Sequence, residues 1–420
     1  MTNPNWSDKE IELLKSTRTN AEIGKILGRT EGSVRAKRHR LKLGSPKAVL
    51  TPAETTVDED AEKARLGYWK AQHDALKSKY DKVLKQGAAV EQLVEMAASL
   101  APQSYSPAPA IPTLKSHTGK PQSAVLMLTD THVGATVSPR QTLGFGGYNF
   151  EIFLRRLKFL ESGVESILTG HVSTAVPELV VCLGGDMING NLNHGGEAAQ
   201  TTTLFQQFYG GGHAIAQFLR NVSRLVPKVR IYTAVGNHPR WGTQHKMPTD
   251  NRYSNLDHFL YAYIQALTKD LSSVEWTLNA QPFAIFDVQN FWFHLSHGDH
   301  LRGGDKALGI PNHAVARMVA STSALYGKNN LPSPHYYLVG HLHRSIALPH
   351  ARGSVVINGG FPGLDGYGLM SGFNPVDPSQ TLFLVHPKFG KTATFEIQLK
   401  HAPSDGPTPY EIPSCGEPIA

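Results

Sequence analysis

The chain of 420 residues is long enough for two or three domains, and a hydrophobic fraction of 40% supports a real core while excluding an integral membrane protein. No apolar run is long enough to span a bilayer, and the first residues lack the pattern of a signal peptide. The net charge of +7 favours a polyanionic partner, and two cysteines, Cys182 and Cys415, make no disulfide framework, so we expect a cytoplasmic protein without a membrane partner.

Residues 1–44 are predicted to form a small all-α domain. Ser7 and Glu10 have the spacing of a capping box at the start of a first helix. A second helix follows, and Thr30 caps a third over Glu31–Leu41. The third helix has small residues in its middle and basic residues around them, which suits a helix that lies against DNA. Together with the early tryptophan, this unit resembles a helix-turn-helix domain of the Myb/homeodomain type.

The basic side chains of the third helix define the predicted DNA-binding surface. They are expected to contact phosphates, and no readout of bases is predicted. An alternative is a solvated basic helix in a three-helix unit that binds protein. The candidate DNA-binding residues are Arg35, Lys37, Arg38, His39, Arg40 and Lys42.

The stretch between the two predicted domains contains two linkers and a long helix. Residues 45–58 are rich in Pro, Ser, Thr and Ala and are typical of a linker, and residues 101–121 form a second, proline-rich one. Residues 59–100 are predicted to be helical, with a heptad-like apolar pattern over 66–97. The pattern fits a coiled coil that would make a homodimer, and it fits equally a helix packed on the following domain.

Residues 122–400 contain five short apolar stretches that each end in polar groups of the metal-ligand type. Parallel buried strands end at one edge of a sheet, so these groups are expected to converge there. Asp, His and Asn are ligands for manganese, iron, zinc or magnesium. Two such ions close together can stabilise both the attacking and the leaving oxygen of a phosphoryl transfer. The five stretches are Val125–His132, Leu179–Asp186, Val229–His238, Phe291–His300 and Tyr336–His343.

The order Asp-x-His, Gly-Asp, Gly-Asn-His, His and Gly-His-x-His resembles the calcineurin-like metallophosphoesterases. That superfamily includes the Mre11/SbcD nucleases and many bacteriophage phosphoesterases, and the variants here are most similar to phage members. The resemblance implies a four-layer αββα sandwich and two divalent ions. Mn²⁺ is the expected metal, with iron, zinc or magnesium as alternatives. It implies a metal-bridging hydroxide as the nucleophile. The first metal would be held by Asp130, His132, Asp186 and His343, and the second by Asp186, Asn237, His297 and His341, with Asp186 shared.

The resemblance also assigns His238 as the group that protonates the leaving oxygen. One departure is that Pro239 and Arg240 follow His238, where many members have an acid that orients the histidine. Arg240 could instead contact a substrate phosphate through its planar fork. Asp299 is interpreted as a residue that orients a ligand, and not as a ligand itself.

The remaining elements of 122–400 are predicted from their periodicity. The apolar spacing predicts helices over Phe150–Leu168 and Leu256–Leu271. A helical pattern over Leu204–Val226 is interrupted by three glycines, which would be a hinge or a helix junction. Trp276–His297 is predicted to form strands of a second sheet, and residues 401–420 a disordered tail.

Three functions are compatible with these features of the sequence. The first is a DNA phosphodiesterase, a nuclease targeted by its own DNA-binding domain. The second is a phosphomonoesterase or small-nucleotide phosphodiesterase that this domain localises on DNA. The third is a non-catalytic DNA-binding regulator, which the complete set of ligand-type residues disfavours.

Overall fold

The computed structural model describes residues 6–43 except 17, residues 70 and 74, and residues 119–412 with internal gaps. The gaps are 141, 145, 191–201, 241–254, 280, 302–309, 365–368 and 370–374. The chain divides into two compact units, residues 1–79 and 80–420. The two predicted linkers and most of the predicted long helix, including its heptad pattern over 66–97, lie outside the described residues.

The first unit contains three helices, α1 (Asp8–Leu14), α2 (Asn20–Leu27) and α3 (Glu31–Arg40). Helices α1 and α2 each begin with a capping box, and a threonine side chain caps α3, so the start signals in the sequence are used as predicted. Because these helices are short, their stability depends on a shared core. Leu14 from α1, Ile23 from α2 and Val34 from α3 form that core, and none of them is more than 1% exposed.

Arg38 has a structural role that the sequence did not reveal. Its side chain is only 3% exposed and donates to the carbonyls of Leu14 and Ser16 and to Asn20 Oδ1, at 2.7, 2.8 and 3.0 Å. The guanidinium thus forms hydrogen bonds to acceptors at the end of α1 and at the start of α2. Because it is buried in these bonds, the prediction that Arg38 contacts DNA is wrong. The other candidate DNA-binding residues, Arg35, His39, Arg40 and Lys42, are exposed, and Lys37 is half-buried.

The second unit is an α/β sandwich with two sheets. Its first sheet has the strand order β11-β10-β1-β2-β3-β4, and its second has the order β5-β6-β7-β9-β8. Strands β1 to β4 are parallel to one another, and so are β6, β7 and β9. The strands are β1 Ser123–Leu128, β2 Glu178–Leu183, β3 Lys228–Thr233, β4 Val274–Thr277, β5 Phe283–Val288, β6 Phe291–Ser296, β7 Tyr336–Val339, β8 Ile346–His350, β9 Gly353–Ile357, β10 Ser379–His386 and β11 Gly390–Gln398.

Helices cover the outer faces of both sheets. Alternate residues of β1 point to opposite sides, so Val125 and Met127 pack between the sheets while Leu126 packs under the helices. The result is the four-layer αββα arrangement expected from the sequence, except that β4, predicted for the second sheet, extends the first. The helices are α4 (Phe150–Ser166), α5 (Leu204–Val222) and α6 (Leu256–Leu267) on the first sheet, and α7 (Asn312–Lys328) on the second.

The glycine stretch in α5 is a packing feature and not a hinge. Helix α5 runs unbroken through Gly210, Gly211 and Gly212, and all three are buried. A Cβ atom at Gly212 would lie 2.7 Å from Cδ1 of Tyr263 on α6, which is closer than real contacts allow. The missing side chains therefore let α5 lie close to its neighbours.

Residues 401–412 are part of the folded unit, so the prediction of a disordered tail from residue 401 is wrong for them. Tyr410 is buried, and its hydroxyl donates to Glu161 Oε2 at 2.9 Å. The side chain of Gln217 pairs with the backbone of Glu411 through two hydrogen bonds. Residues 413–420 lie outside the described part of the chain. Among the helices that the structure describes, none combines the length and the apolarity needed to cross a membrane.

The substitution Gly212→Ala tests the packing role of the glycine stretch. Alanine favours helix by about 1 kcal/mol, but overpacking against a fixed ring costs about 1–3 kcal/mol, so we expect a net decrease in the free energy of unfolding. Gly170→Ala is the control, because a Cβ there meets no atom within 4 Å. Urea denaturation of both variants measures the difference, and a Gly212 variant as stable as the control would contradict the assignment.

Candidate metal centre

Five strand ends bring the predicted ligands to one edge of the sandwich. Asp130 and His132 follow β1, Asp186 follows β2, and Asn237 follows β3, all in the first sheet. From the second sheet, His297 follows β6, and His341 and His343 follow β7. Because these strands are parallel within each sheet, their carboxyl ends meet at the edge where sites form in α/β folds.

The first group of ligand-type atoms consists of Asp130, His132 and His343, whose ligand atoms all lie within 4.8 Å of one another. His343 Nε2 is 3.3 Å from Asp130 Oδ1 and 3.1 Å from His132 Nε2. Neighbouring ligands of one ion, each about 2.1 Å from it, lie about 3 Å apart in octahedral geometry. The spacing of this group therefore fits a single divalent cation.

The second group consists of Asp186, His297 and His341, again within 4.8 Å. His297 Nε2 is 3.1 Å from Asp186 Oδ2 and 3.1 Å from the side-chain oxygen of Asn237. The other ring nitrogen, Nδ1, lies 2.9 Å from the carbonyl of Gly184, which orients the ring and leaves Nε2 directed at the group.

Asp186 lies between the two groups. Its Oδ2 atom is 3.1 Å from His297 Nε2 and 3.9 Å from His132 Nε2, which belongs to the first group. A carboxylate with one neighbour from each side is placed to bridge two cations. The backbone N–H of His238 donates to the other oxygen, Oδ1, at 2.8 Å and holds the carboxylate in this orientation.

The buried carboxylates leave a negative charge that positive groups must balance. Burial opposes ionisation of Asp186, but the imidazoles of His297, His238 and His132 hold the pKa of this carboxyl well below its usual range. Burial likewise disfavours the charged form of His297, but Asp186 and Asp130 raise the pKa of His297 to about 10. A protonated His297 would place a positive charge directly beside the Asp186 carboxylate.

Two other histidines are neutral and ready to act as ligands. Burial and the neighbouring His238 lower the pKa of His132 to about 3. Burial and the neighbouring His297 lower the pKa of His341 to about 4. A neutral imidazole offers a lone pair to a metal without first losing a proton.

The backbone at the ligands is strained. Asp130, His132, Asp186, His341 and His343 all have positive φ, between 43° and 64°. Non-glycine residues in this region cost about 1–3 kcal/mol each, and such strain collects at functional sites.

His238 lies beside both groups. Its ring contacts that of His132 edge-on, with centroids 4.5 Å apart, and it forms a third cluster with His132 and Asp186. Burial lowers the pKa of its imidazole. Its Nδ1 atom is buried and has no hydrogen-bond partner among the described residues.

Arg240 and Asp299 form an ion pair with each other. Neither belongs to a group of ligand-type atoms among the described residues, and the interpretation of Asp299 as a residue that orients a ligand stays a prediction. The pair joins the loop after β3 to the loop after β6, and both side chains are mostly buried.

Sequence reasoning missed the residues that hold the ligand loops from behind. Asp257, in the first turn of α6, accepts hydrogen bonds from the backbone of both the Asp186 and the Asn237 loops. Burial and the charge of Asp186 raise the pKa of Asp257 to about 7. On the Asp130 side, the buried amides of Gln380 and Asn358 bond to Thr129. The only sequence signal was an acid in a first helical turn, which is common without a site.

No protein-family model matches the sequence, and neither does any curated protein. Among solved structures, the chain is similar to an archaeal phosphodiesterase, with 10% identity and a TM-score of 0.30 over 65% of this chain and 99% of that one. It is similar to a hypothetical protein from Pyrococcus horikoshii OT3, with 10% identity and a TM-score of 0.35 over 66% and 88% of the two chains. Zinc-complexed Vps29 from Entamoeba histolytica has 12% identity and a TM-score of 0.27 over 66% and 99%. These TM-scores are too low to carry an argument about function.

The proton on His297 predicts how cation binding depends on pH. With a pKa of about 10, His297 is protonated at neutral pH and must release that proton when a cation binds. We expect the affinity for Mn²⁺ to rise about tenfold per pH unit between about pH 6 and 8, measured by calorimetric titration.

Two variants separate this effect from removal of a ligand. His297→Gln should remove the slope, whereas His341→Gln should weaken binding and keep the slope, because His341 is already neutral. An affinity that does not change with pH in the unmodified chain would contradict the assignment.

Proposed function

We propose that the chain is a divalent-metal-dependent phosphoester hydrolase that acts on DNA phosphodiesters. The observation that carries this proposal is the convergence of two groups of ligand-type atoms on one shared carboxylate, Asp186. Paired divalent sites of this kind stabilise both the attacking and the leaving oxygen of an in-line phosphoryl transfer.

The residues present fit two cations of intermediate hardness, and manganese suits their mixture of carboxylate, imidazole and amide donors. Asp130, His132 and His343 would hold one cation, His297, His341 and Asn237 the other, and Asp186 both. When bound, the cations would supply an acidified water and balance the negative charge that develops on the phosphoryl group. The chain's own contribution is to fix the ligands in a buried, strained arrangement before the cations arrive.

His238 is the residue that we assign to proton transfer. Its ring lies against His132 and its backbone N–H binds Asp186, so it is held at the border of both groups. Burial lowers the pKa of His238, so the ring must first take up a proton from water; from there it can give that proton to the leaving oxygen of an ester, as a general acid does.

Arg240 is the residue that we assign to a non-reacting phosphate oxygen. Asp299 holds one end of its guanidinium, and its Nε atom is buried without a partner among the described residues. The proposal rests on the position of Arg240, two residues after His238, and on its guanidinium, which can make a charge-assisted hydrogen bond to a phosphate.

DNA is the proposed substrate because the first unit presents a basic helix. Arg35, His39 and Arg40 on α3 are exposed, and Lys42 follows them. Basic side chains on one exposed helix are the usual means of contacting phosphates. Hydrolysis of phosphomonoesters or small nucleotides is the alternative outcome.

A direct test compares substrates and metals with the full-length chain. Single- and double-stranded DNA, a phosphomonoester and a small-nucleotide diester are each incubated with Mn²⁺, Mg²⁺, Zn²⁺ or Fe²⁺. Cleavage of DNA with Mn²⁺ supports the proposal, and turnover of the monoester alone supports the alternative. A chain that binds no metal and cleaves nothing would favour the third function, a DNA-binding regulator.

The substitution His238→Ala should slow turnover by roughly 10²–10⁴-fold, because a general acid contributes about that much. Metal content should stay unchanged, which mass spectrometry of the purified variant measures. His313→Ala, an exposed histidine at the start of α7, is the matched control. Unchanged turnover in the His238 variant would remove the residue from this role.

Removal of Arg35 and Arg40 should weaken DNA binding by the full-length chain. For each phosphate that the protein no longer neutralises, the slope of log affinity against log salt should fall by roughly 0.9. The double variant Arg35→Ala/Arg40→Ala is compared with Arg18→Ala/Lys25→Ala, which removes the same charge from exposed positions outside α3. Equal weakening in the two double variants would mean that net charge, and not α3, determines binding.

A further inference from the structure

The backbones of two ligand loops converge on one buried carboxylate that is not itself a ligand. Asp257 lies in the first turn of α6 and is 0% exposed. Its Oδ1 accepts the N–H of Met187 at 3.1 Å, and its Oδ2 accepts the N–H of Gly236 at 3.0 Å. Met187 directly follows Asp186, and Gly236 directly precedes Asn237.

The two loops touch at this point. A Cβ atom at Gly236 would lie 2.0 Å from Asp186 Oδ1 and 2.2 Å from its backbone nitrogen, so no side chain fits between the loops. A carboxylate has two oxygens at a fixed separation. Because each oxygen binds a different loop, the Asp257 side chain fixes the distance between the loops.

Neighbouring side chains of α6 hold Asp257 and the same loops. The N-cap residue Asn255 accepts the N–H of Asp257 at 2.9 Å and donates to the carbonyl of Gly236 at 2.8 Å. The hydroxyl of Tyr261 accepts the N–H of Gly185 at 3.2 Å and donates to the carbonyl of Ala234 at 2.9 Å. The start of α6 thus binds backbone groups on both sides of Asp186 and ahead of Asn237.

Burying a carboxyl group is costly unless its oxygens are hydrogen-bonded. Both oxygens of Asp257 accept a backbone N–H, so this condition holds. Asp257 is not exposed, and none of its described hydrogen bonds goes to the side chain of a proposed ligand, so we expect it to act through the loops that it joins.

We infer that Asp257 is a positioning residue that sets the position of Asp186 relative to Asn237. It thereby sets the affinity of the second group of ligands for a cation. The inference rests on the proposed function, in which Asp186, Asn237, His297 and His341 hold one of two cations. The first group takes Asp130, His132 and His343 from loops to which Asp257 makes no described hydrogen bond. The Asp130 loop bonds to the backbone of Gly185, Asp186 and Met187, so the first group depends on Asp257 indirectly, through the Asp186 loop.

The test is Mn²⁺ binding by the metal-stripped full-length chain, followed by electron paramagnetic resonance. The unmodified chain should bind two ions per chain and give the spectrum of an exchange-coupled pair. Asp257→Asn keeps the shape of the side chain, but one of its two oxygens becomes an NH₂ group. That group would face the backbone N–H of Met187 or Gly236 and could not accept it. The second ion should then bind about 10–100-fold more weakly, the usual effect of removing such support, while the first is retained. At two equivalents the spectrum should become that of isolated Mn²⁺.

Asp270→Asn is the matched control, because Asp270 is an exposed acid just after α6 that pairs with Arg220. If Asp257→Asn does not fold by circular dichroism, Tyr261→Phe takes its place, with a smaller expected effect in the same direction. Two ions bound as tightly as in the control would overturn the inference, and so would an equal weakening of both ions. An unmodified chain that binds no Mn²⁺ would overturn the proposed function as well, which separates the two failures.

Discussion

The site depends on two carboxylates, Asp130 and Asp186, that are buried almost completely. A buried charge is stable only where opposite charge and hydrogen bonds surround it. Each carboxylate accepts a backbone N–H, from His341 and His238 respectively, and each lies within about one hydrogen-bond length of an imidazole. Neutral donors and one protonated histidine balance this charge incompletely, and two divalent cations would complete the balance. The same charge that makes the site costly to fold makes it selective for cations.

The sandwich architecture makes this concentration of charge possible. The ligands come from the ends of strands in both sheets, so the interface between the sheets sets the distances across the site. Behind Asp130, Gln380 on β10 and Asn358 just after β9 bond to Thr129 and to each other, which ties the first sheet to the second. Behind Asp186, α6 ties β2 to β3. Buried polar networks that are fully bonded are rigid, and ligands held by them need little rearrangement when cations bind.

The sequence predicts those parts of the site in which a ligand lies next to its own strand. Asp130 and Asp186 follow apolar runs directly, so the strand and the ligand are read from the same few residues. The supporting residues are different, because their roles depend on contacts between segments far apart in the chain. Asp257 reads as an ordinary acid in a first helical turn, although it holds two loops. Arg38 reads as one of several exposed basic residues, although it closes the core of the first unit.

The loop that carries His238 is held through its backbone. Pro239 follows His238, where the sequence resemblance leads us to expect an acid that orients the imidazole. The N–H of His238 binds Asp186, the carbonyl of Pro239 accepts the N–H of Leu256 at 2.8 Å, and Arg240 bridges to Asn255. These contacts fix where the ring lies without contacting either ring nitrogen. An acid partner would both place the ring and raise its pKa. Here the backbone contacts perform the first of these tasks.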